Sequence, residues 1–163
     1  MASSIGHALT ALVIGAAMVP HSAPRRVWIA AAATAVLPDV DAIGRPFGYP
    51  DVAWLGGHRA LTHSLAFALV VAALVTLVWF RGPTWSGMRT RLVAAFAAGM
   101  IAHGVLDAFT TYGRGVAFLA PFTWRRFESA WEPVRGVWSE VIAIWVPSSL
   151  ILWHVRIRAS HAV

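Results

Sequence analysis

The feature that most restricts the fold is the alternation of long apolar runs with short breaks rich in Pro, Gly and Arg. Five runs stand out, at about Ser3 to Val19, Val27 to Leu37, Leu61 to Phe80, Leu92 to Tyr112 and Val137 to Val155. A spanning helix needs ~20 apolar residues to cross ~30 Å of hydrocarbon. The last three runs approach that length and the first is marginal. The second is too short to cross unaided at a rise of ~1.5 Å per residue. Hydrophobic residues make up 58% of the 163 and charged residues 12%, a balance that suits lipid rather than water as solvent. The expected fold is all-α: one domain, residues 1–163, forming an integral membrane bundle of about five helices.

No Lys or Arg precedes the first apolar run, so it is expected to stay attached as the first helix rather than act as a cleaved leader. Gly6, Ala11 and Gly15 on that helix, and Ala94, Ala95, Ala98, Gly99 and Ala102 on the fourth, are small enough to let the two approach closely in lipid. Pro147 is expected to kink or reorganise the fifth helix. The linkers Gly44 to Gly57 and Gly113 to Gly136 are expected to fold over a site. Trp54, Trp85, Trp124, Trp131 and Trp138 lie near helix boundaries, where an interfacial belt explains them.

When the chain crosses at each run in turn, its polar residues separate. His7, Asp39, Asp41, His58, His63, His103, Asp107 and Glu140 fall toward one side, and so do all seven acids; His21, His154 and His161 fall toward the other. The polar site is therefore expected near one membrane interface. The net charge of +6 comes from Arg alone, dispersed over several loops. Arg25, Arg26, Arg81, Arg89, Arg91, Arg156 and Arg158 mark the face opposite the acids, against six Arg on the acidic face. By that count the positive-inside rule puts the acidic face on the non-cytoplasmic side. With no basic helix and no aromatic-basic platform, membrane lipids rather than nucleic acid are the expected partners. The oligomeric state is left open.

There is no Cys, so any metal must take N and O ligands. His103 and Asp107 are an i, i+4 pair on one helical face, suited to gripping one cation or to joining helices by a hydrogen bond. An ionisable pair inside an apolar helix marks a functional candidate. Asp39 and Asp41 follow the electronegative end of a helix. Such a pair often caps a turn, but between apolar segments it needs a metal or an Arg to neutralise it. His58 and His63 bracket the start of the third helix, with Thr62 and Ser64 placed to fix ring tautomers; a polar interfacial cap is the plainer alternative. Arg59 can steady an anionic oxygen or reach for lipid head groups, and Arg126 offers the same choice. His7 gains its weight only from lying on the same side.

In order, His7, Leu37-Pro38-Asp39-Val40-Asp41, His58-Arg59-Ala60-Leu61-Thr62-His63-Ser64, His103 with Asp107, and Thr111-Tyr112-Gly113 with Pro121-Phe122 beyond, resemble the membrane-bound metal-dependent hydrolases, also named LexA-binding inner-membrane-associated hydrolases. The likeness covers about residues 5 to 125. It implies an inner-membrane location and hydrolase activity. A more distant likeness is to the zinc-dependent phospholipase C and P1 nuclease group, whose ligand order of early His, Asp, His and HxxxD is matched here. The further His and terminal pair of that group are missing, which favours one or two ions over three.

The function expected from these readings is metal-dependent hydrolysis of a phosphoester in a lipid or lipid-linked substrate. His7, Asp39, Asp41, His58, His63, His103 and Asp107 would ligate metal, Asp41 would serve a second ion or act as base, and Arg59 and Arg126 would hold substrate. Zinc is the expected ion, one or two per chain, with Mn or Fe as alternatives. The competing expectation is a non-enzymatic membrane protein, an ion or proton relay or a tether for a regulator, whose His/Asp cluster is structural.

Overall fold

A computed structural model describes residues 3–48, 50–111 and 115–161. Its elements are α1 (Ser4–Met18), α2 (Arg25–Val36), α3 (Leu65–Trp79), α4 (Arg89–Ala108), α5 (Val137–Glu140) and α6 (Val146–His161). A π-helical turn over Val141–Trp145 joins α5 to α6 without a break, so five helical rods result. The described residues form no strand; the isolated bridges Thr110 to Val134 and Val116 to Phe127 pin the long linker to itself and to the end of α4. The all-α expectation holds. Tyr112, expected to close the fourth run, and Gly113, expected to open the linker after it, lie outside the described residues.

Helix ends follow local chemistry. Ser3 Oγ accepts the Gly6 amide at 3.2 Å and starts α1. Pro38 has no amide hydrogen to continue the α-helical ladder, so α2 stops at Val36 and the chain, with Leu37 N bonded to Thr34 O, tightens into a 3-10 turn over Leu37–Ala42. Ser64 Oγ caps α3 through the Phe67 amide at 3.1 Å. The third run therefore becomes helix only at Leu65, and Leu61–His63 form a 3-10 turn ahead of it. The π turn directly before Pro147 is where the chain absorbs the donor that proline lacks.

The bundle packs inside out. On α3 the buried residues are Ala68, Ala72 and Thr76, while Leu69, Val70, Leu74 and Leu77 are each more than half exposed. A helix in water would present the reverse pattern, whereas in lipid small residues face neighbours and large apolar ones face acyl chains. α4 and the rod Val137–Arg158 are long and apolar enough to cross a membrane; α1 and α3 are apolar but shorter. α1 and α4 do pack closely, since a Cβ at Gly99 would stand 3.0 Å from the Ala11 Cβ. At the Arg-rich end, Val27, Leu92 and Phe96 form a core with Phe80 and Trp85, and the Arg26 guanidinium lies 4.3 Å from the Trp85 ring centre. Trp85 is thus part of the core rather than of a belt. Trp54, Trp124, Trp131 and Trp138 are exposed at the opposite end.

Candidate metal centre

At the end opposite Arg26, four elements converge: the start of α1, the 3-10 turn after α2, the 58–63 loop and the second half of α4. Gly104 permits the closest approach, because a Cβ there would lie 3.2 Å from the His63 carbonyl oxygen and 3.1 Å from Phe118. The His63 turn consequently lies directly against α4, beside His103. The linker closes over it through backbone bonds from Ala117 N to Arg59 O and from Leu65 N to Phe118 O, both 2.9 Å.

Hydrogen bonding fixes the ring tautomers. His103 Nδ1 lies 2.6 Å from the Ala35 carbonyl, which only accepts, so Nδ1 carries the proton and Nε2 keeps its lone pair. Thr62 has one hydroxyl proton and gives it to Asp41 Oδ2 at 2.5 Å. It must then accept from His63 Nδ1 at 3.0 Å, which leaves His63 Nε2 as the bare nitrogen. His58 Nδ1 donates to Asp41 Oδ1 at 2.8 Å, so its Nε2 is bare as well.

The bare nitrogens point at one another and at carboxylates. His63 Nε2 and His103 Nε2 are 3.2 Å apart. Asp39 Oδ1 is 3.4 Å from His103 Nε2 and 3.7 Å from His63 Nε2; Asp107 Oδ2 is 3.9 Å and 3.6 Å from the same atoms. Four ligands at ~2.0 Å from a tetrahedral zinc ion stand ~3.3 Å from each other, close to these separations. His7 stacks on His103 with ring centres 3.5 Å apart and brings Nε2 to 3.6 Å from Asp107 Oδ1. Donor atoms of Asp39, His58, His63 and Asp107 all lie within 4.8 Å of one another, as do those of His7, His103 and Asp107. Asp107 belongs to both sets, with Oδ1 toward His7 and Oδ2 toward His63 and His103.

Charge and desolvation test the fit to a cation. Among the described residues the cluster holds three carboxylates, Asp39, Asp41 and Asp107, and one buried guanidinium, that of Arg59, whose Nε is 3.0 Å from Asp107 Oδ2. Three carboxylates against one guanidinium leave two negative charges, which a divalent ion would cancel. Both ring nitrogens of His7, Asp39 Oδ1, His58 Nε2 and Asp107 Oδ1 are buried with no hydrogen-bond partner among the described residues. Polar atoms left so in a low-dielectric site are costly unless an ion completes them. The residues present fit a divalent metal.

The remaining candidates take other places. Asp41 is buried with its oxygens committed to His58 and Thr62. Arg59, at a left-handed φ of 65°, places its guanidinium on Asp107 and, at 2.9 Å, on Thr110 Oγ1. Arg126 donates to the carbonyls of His58, Gly115 and Gly56, stapling the linker to the 56–58 loop. Glu140 stands apart from the cluster: Oε1 accepts Ser3 N at 2.7 Å, Ser3 Oγ at 2.6 Å and Trp145 Nε1 at 3.0 Å. Sequence reasoning missed the Ala35 carbonyl, Thr110 and Gly104. Only Gly104 left a trace there, as a glycine next to a candidate ligand.

An all-α bundle with an apolar exterior and a buried His/Asp cluster at one end defines a membrane protein with a candidate nitrogen- and oxygen-ligand metal centre. The chain belongs to the YdjM inner membrane protein family, whose model matches residues 1–162. It is similar to inner membrane protein YbcI of Escherichia coli (strain K12), 31% identical over 173 positions that cover 93% of this chain and 95% of that protein. No solved structure matches it. Both names state a membrane location and neither states a reaction.

Proposed function

We propose that this protein is a multi-pass inner-membrane hydrolase that uses one or two divalent ions, zinc foremost, to cleave a phosphoester in a lipid or lipid-linked substrate. The observation that carries the reading is the facing pair of bare nitrogens, His63 Nε2 and His103 Nε2, enclosed by Asp39 and Asp107. Two lone pairs at that distance repel, and a cation between them removes the conflict. His63, His103, Asp39 and Asp107 would hold one ion, and a second would draw either on His58 or on His7, whose separate donor sets share Asp107.

When bound, such an ion supplies polarisation of water and of the phosphoester oxygens at neutral pH. The chain's own groups do the rest. Asp41 holds the His58 tautomer directly and the His63 tautomer through Thr62, a positioning task. Arg59 balances Asp107 and keeps that carboxylate in one orientation. The inside-out packing of α3 and the exposed Trp54, Trp124, Trp131 and Trp138 support a site at lipid head-group level.

Metal analysis of detergent-purified protein, with phosphomonoesterase and phosphodiesterase assays, tests the proposal. The expected result is about one or two zinc equivalents per chain and turnover that is lost on chelation and restored by metal. Full metal content in a variant with alanine at Asp39, His63 and His103 would overturn it.

A further inference from the structure

Asp39 is the most open acid or histidine of the cluster. Its side chain is 15% exposed, against 7% for His58 and none for His7, His63, His103 or Asp107. It also lines a cleft of about 370 Å³ whose other walls are Ala33, Val36, Leu37, Val40 and Ile43. The spacing 33, 36, 37, 40 is one apolar stripe continued from α2 into the 3-10 turn. Leu37, Val40 and Ile43 are 37%, 40% and 67% exposed, so the stripe has no protein cover. The cleft therefore opens on an apolar flank of the bundle and touches the metal centre at one point, the Asp39 carboxylate.

We infer that this cleft holds one hydrocarbon chain of a lipid whose anionic phosphoester head group reaches the centre past Asp39, so that substrate enters sideways from the bilayer. The inference rests on the metal-hydrolase reading for the head group and on the cleft itself for the chain. Its volume falls in the range of small-molecule sites, ~300–1,000 Å³, and is far below what a second helix needs, which is ~10 Å across with its side chains. Its walls carry no charge apart from Asp39, as a hydrocarbon requires. Electrostatics adds a condition. Without an ion the cluster holds two excess negative charges and repels a phosphoester; one divalent ion would cancel that excess and offer the phosphoester oxygens a local cation. Seating of the anionic lipid is thus coupled to metal.

The test uses the full chain, zinc-loaded, in phosphatidylcholine nanodiscs containing phosphatidate with a diazirine in its acyl chain; labelled positions are mapped by mass spectrometry. Label is expected to concentrate on residues 33–43 and to fall about tenfold in Ala33→Trp, which fills the cleft without altering a ligand. It is expected to fall similarly on chelation, and diazirine-tailed phosphatidylcholine is expected to show no such concentration. Label spread evenly over the cleft and the lipid-facing Leu69 and Leu74 of α3 overturns the inference. Zinc content measured on each sample separates the two levels. Even labelling with zinc bound defeats the cleft alone, whereas cleft labelling with no zinc bound defeats the metal reading and the coupling.

Discussion

His63 and His103 meet Nε2 to Nε2 at 3.2 Å, each with its Nδ1 proton directed to an oxygen on the far side of the ring. Without a cation this contact sets lone pair against lone pair, so the two rings should act as one binding unit. His63→Ala and His103→Ala are each expected to reduce bound zinc to about a tenth or less of wild type, and the double variant to do little more. Elemental analysis of the purified variants checks this. Additive, partial losses would show that the rings bind independently.

Asp41 accepts from both His58 and Thr62 and is placed to orient ligands. Asp41→Asn keeps the shape and removes the charge that fixes both tautomers. It is expected to weaken zinc affinity by about 10- to 100-fold without abolishing binding. Competition with a chromophoric chelator gives the constant. A loss as complete as that of Asp107→Ala would make Asp41 a ligand instead.

Glu140 Oε1 receives three donors, two of them from Ser3, and so ties the start of α1 to the π turn. Glu140→Gln weakens these charge-assisted bonds and is expected to cost about 1–3 kcal/mol of stability. Thermal unfolding in detergent should show the drop while zinc content stays at the wild-type level. Loss of zinc at full stability would bring Glu140 into the centre.

Arg45 and Asp51 form a pair outside the cluster, Nη2 to Oδ2 at 2.6 Å, with side chains 47% and 26% exposed. The Arg45 guanidinium holds the Asp51 carboxyl below its ordinary value. A depressed acid stabilises the fold above its unfolded pKa, and the contribution disappears as pH falls through the folded one. Water and salt screen so open a pair. Asp51→Asn is therefore expected to cost no more than about 1 kcal/mol near neutral pH and nothing once wild-type Asp51 is protonated. Melting temperatures of the two proteins across acid pH, at low and high salt, check the sign.

Much of the cluster was legible in the chain because its candidate ligands sit where apolar runs end. Asp39 and Asp41 follow a run stopped by Pro38, and His63 directly precedes the Ser64 cap; both are local events written in neighbouring residues. The i, i+4 spacing of His103 and Asp107 placed them on one face without tertiary information. His7 could be judged only by its side of the bundle, and the stack on His103 that brings it in depends on how α1 meets α4. Roles within the cluster were less legible. Asp39 and Asp41 are alike in sequence, yet the 3-10 turn points one at His63 and His103 and the other at His58 and Thr62. Arg126 looked like a substrate group, and the structure spends it on three loop carbonyls.

The sequence by itself determined the class of fold, the membrane setting and the inventory of nitrogen and oxygen donors. Those follow from composition, from run length against bilayer thickness and from the absence of Cys, none of which depends on how the helices cross. Only the tertiary structure decided which donors share a point in space, which tautomer each imidazole adopts and where the cluster opens. Each of these depends on atoms far apart in the chain: the Ala35 carbonyl beneath His103, the glycine that seats the His63 turn against α4, and the cleft from α2 that ends at Asp39. Contacts at such separations are set by packing, and no local pattern of residues records them.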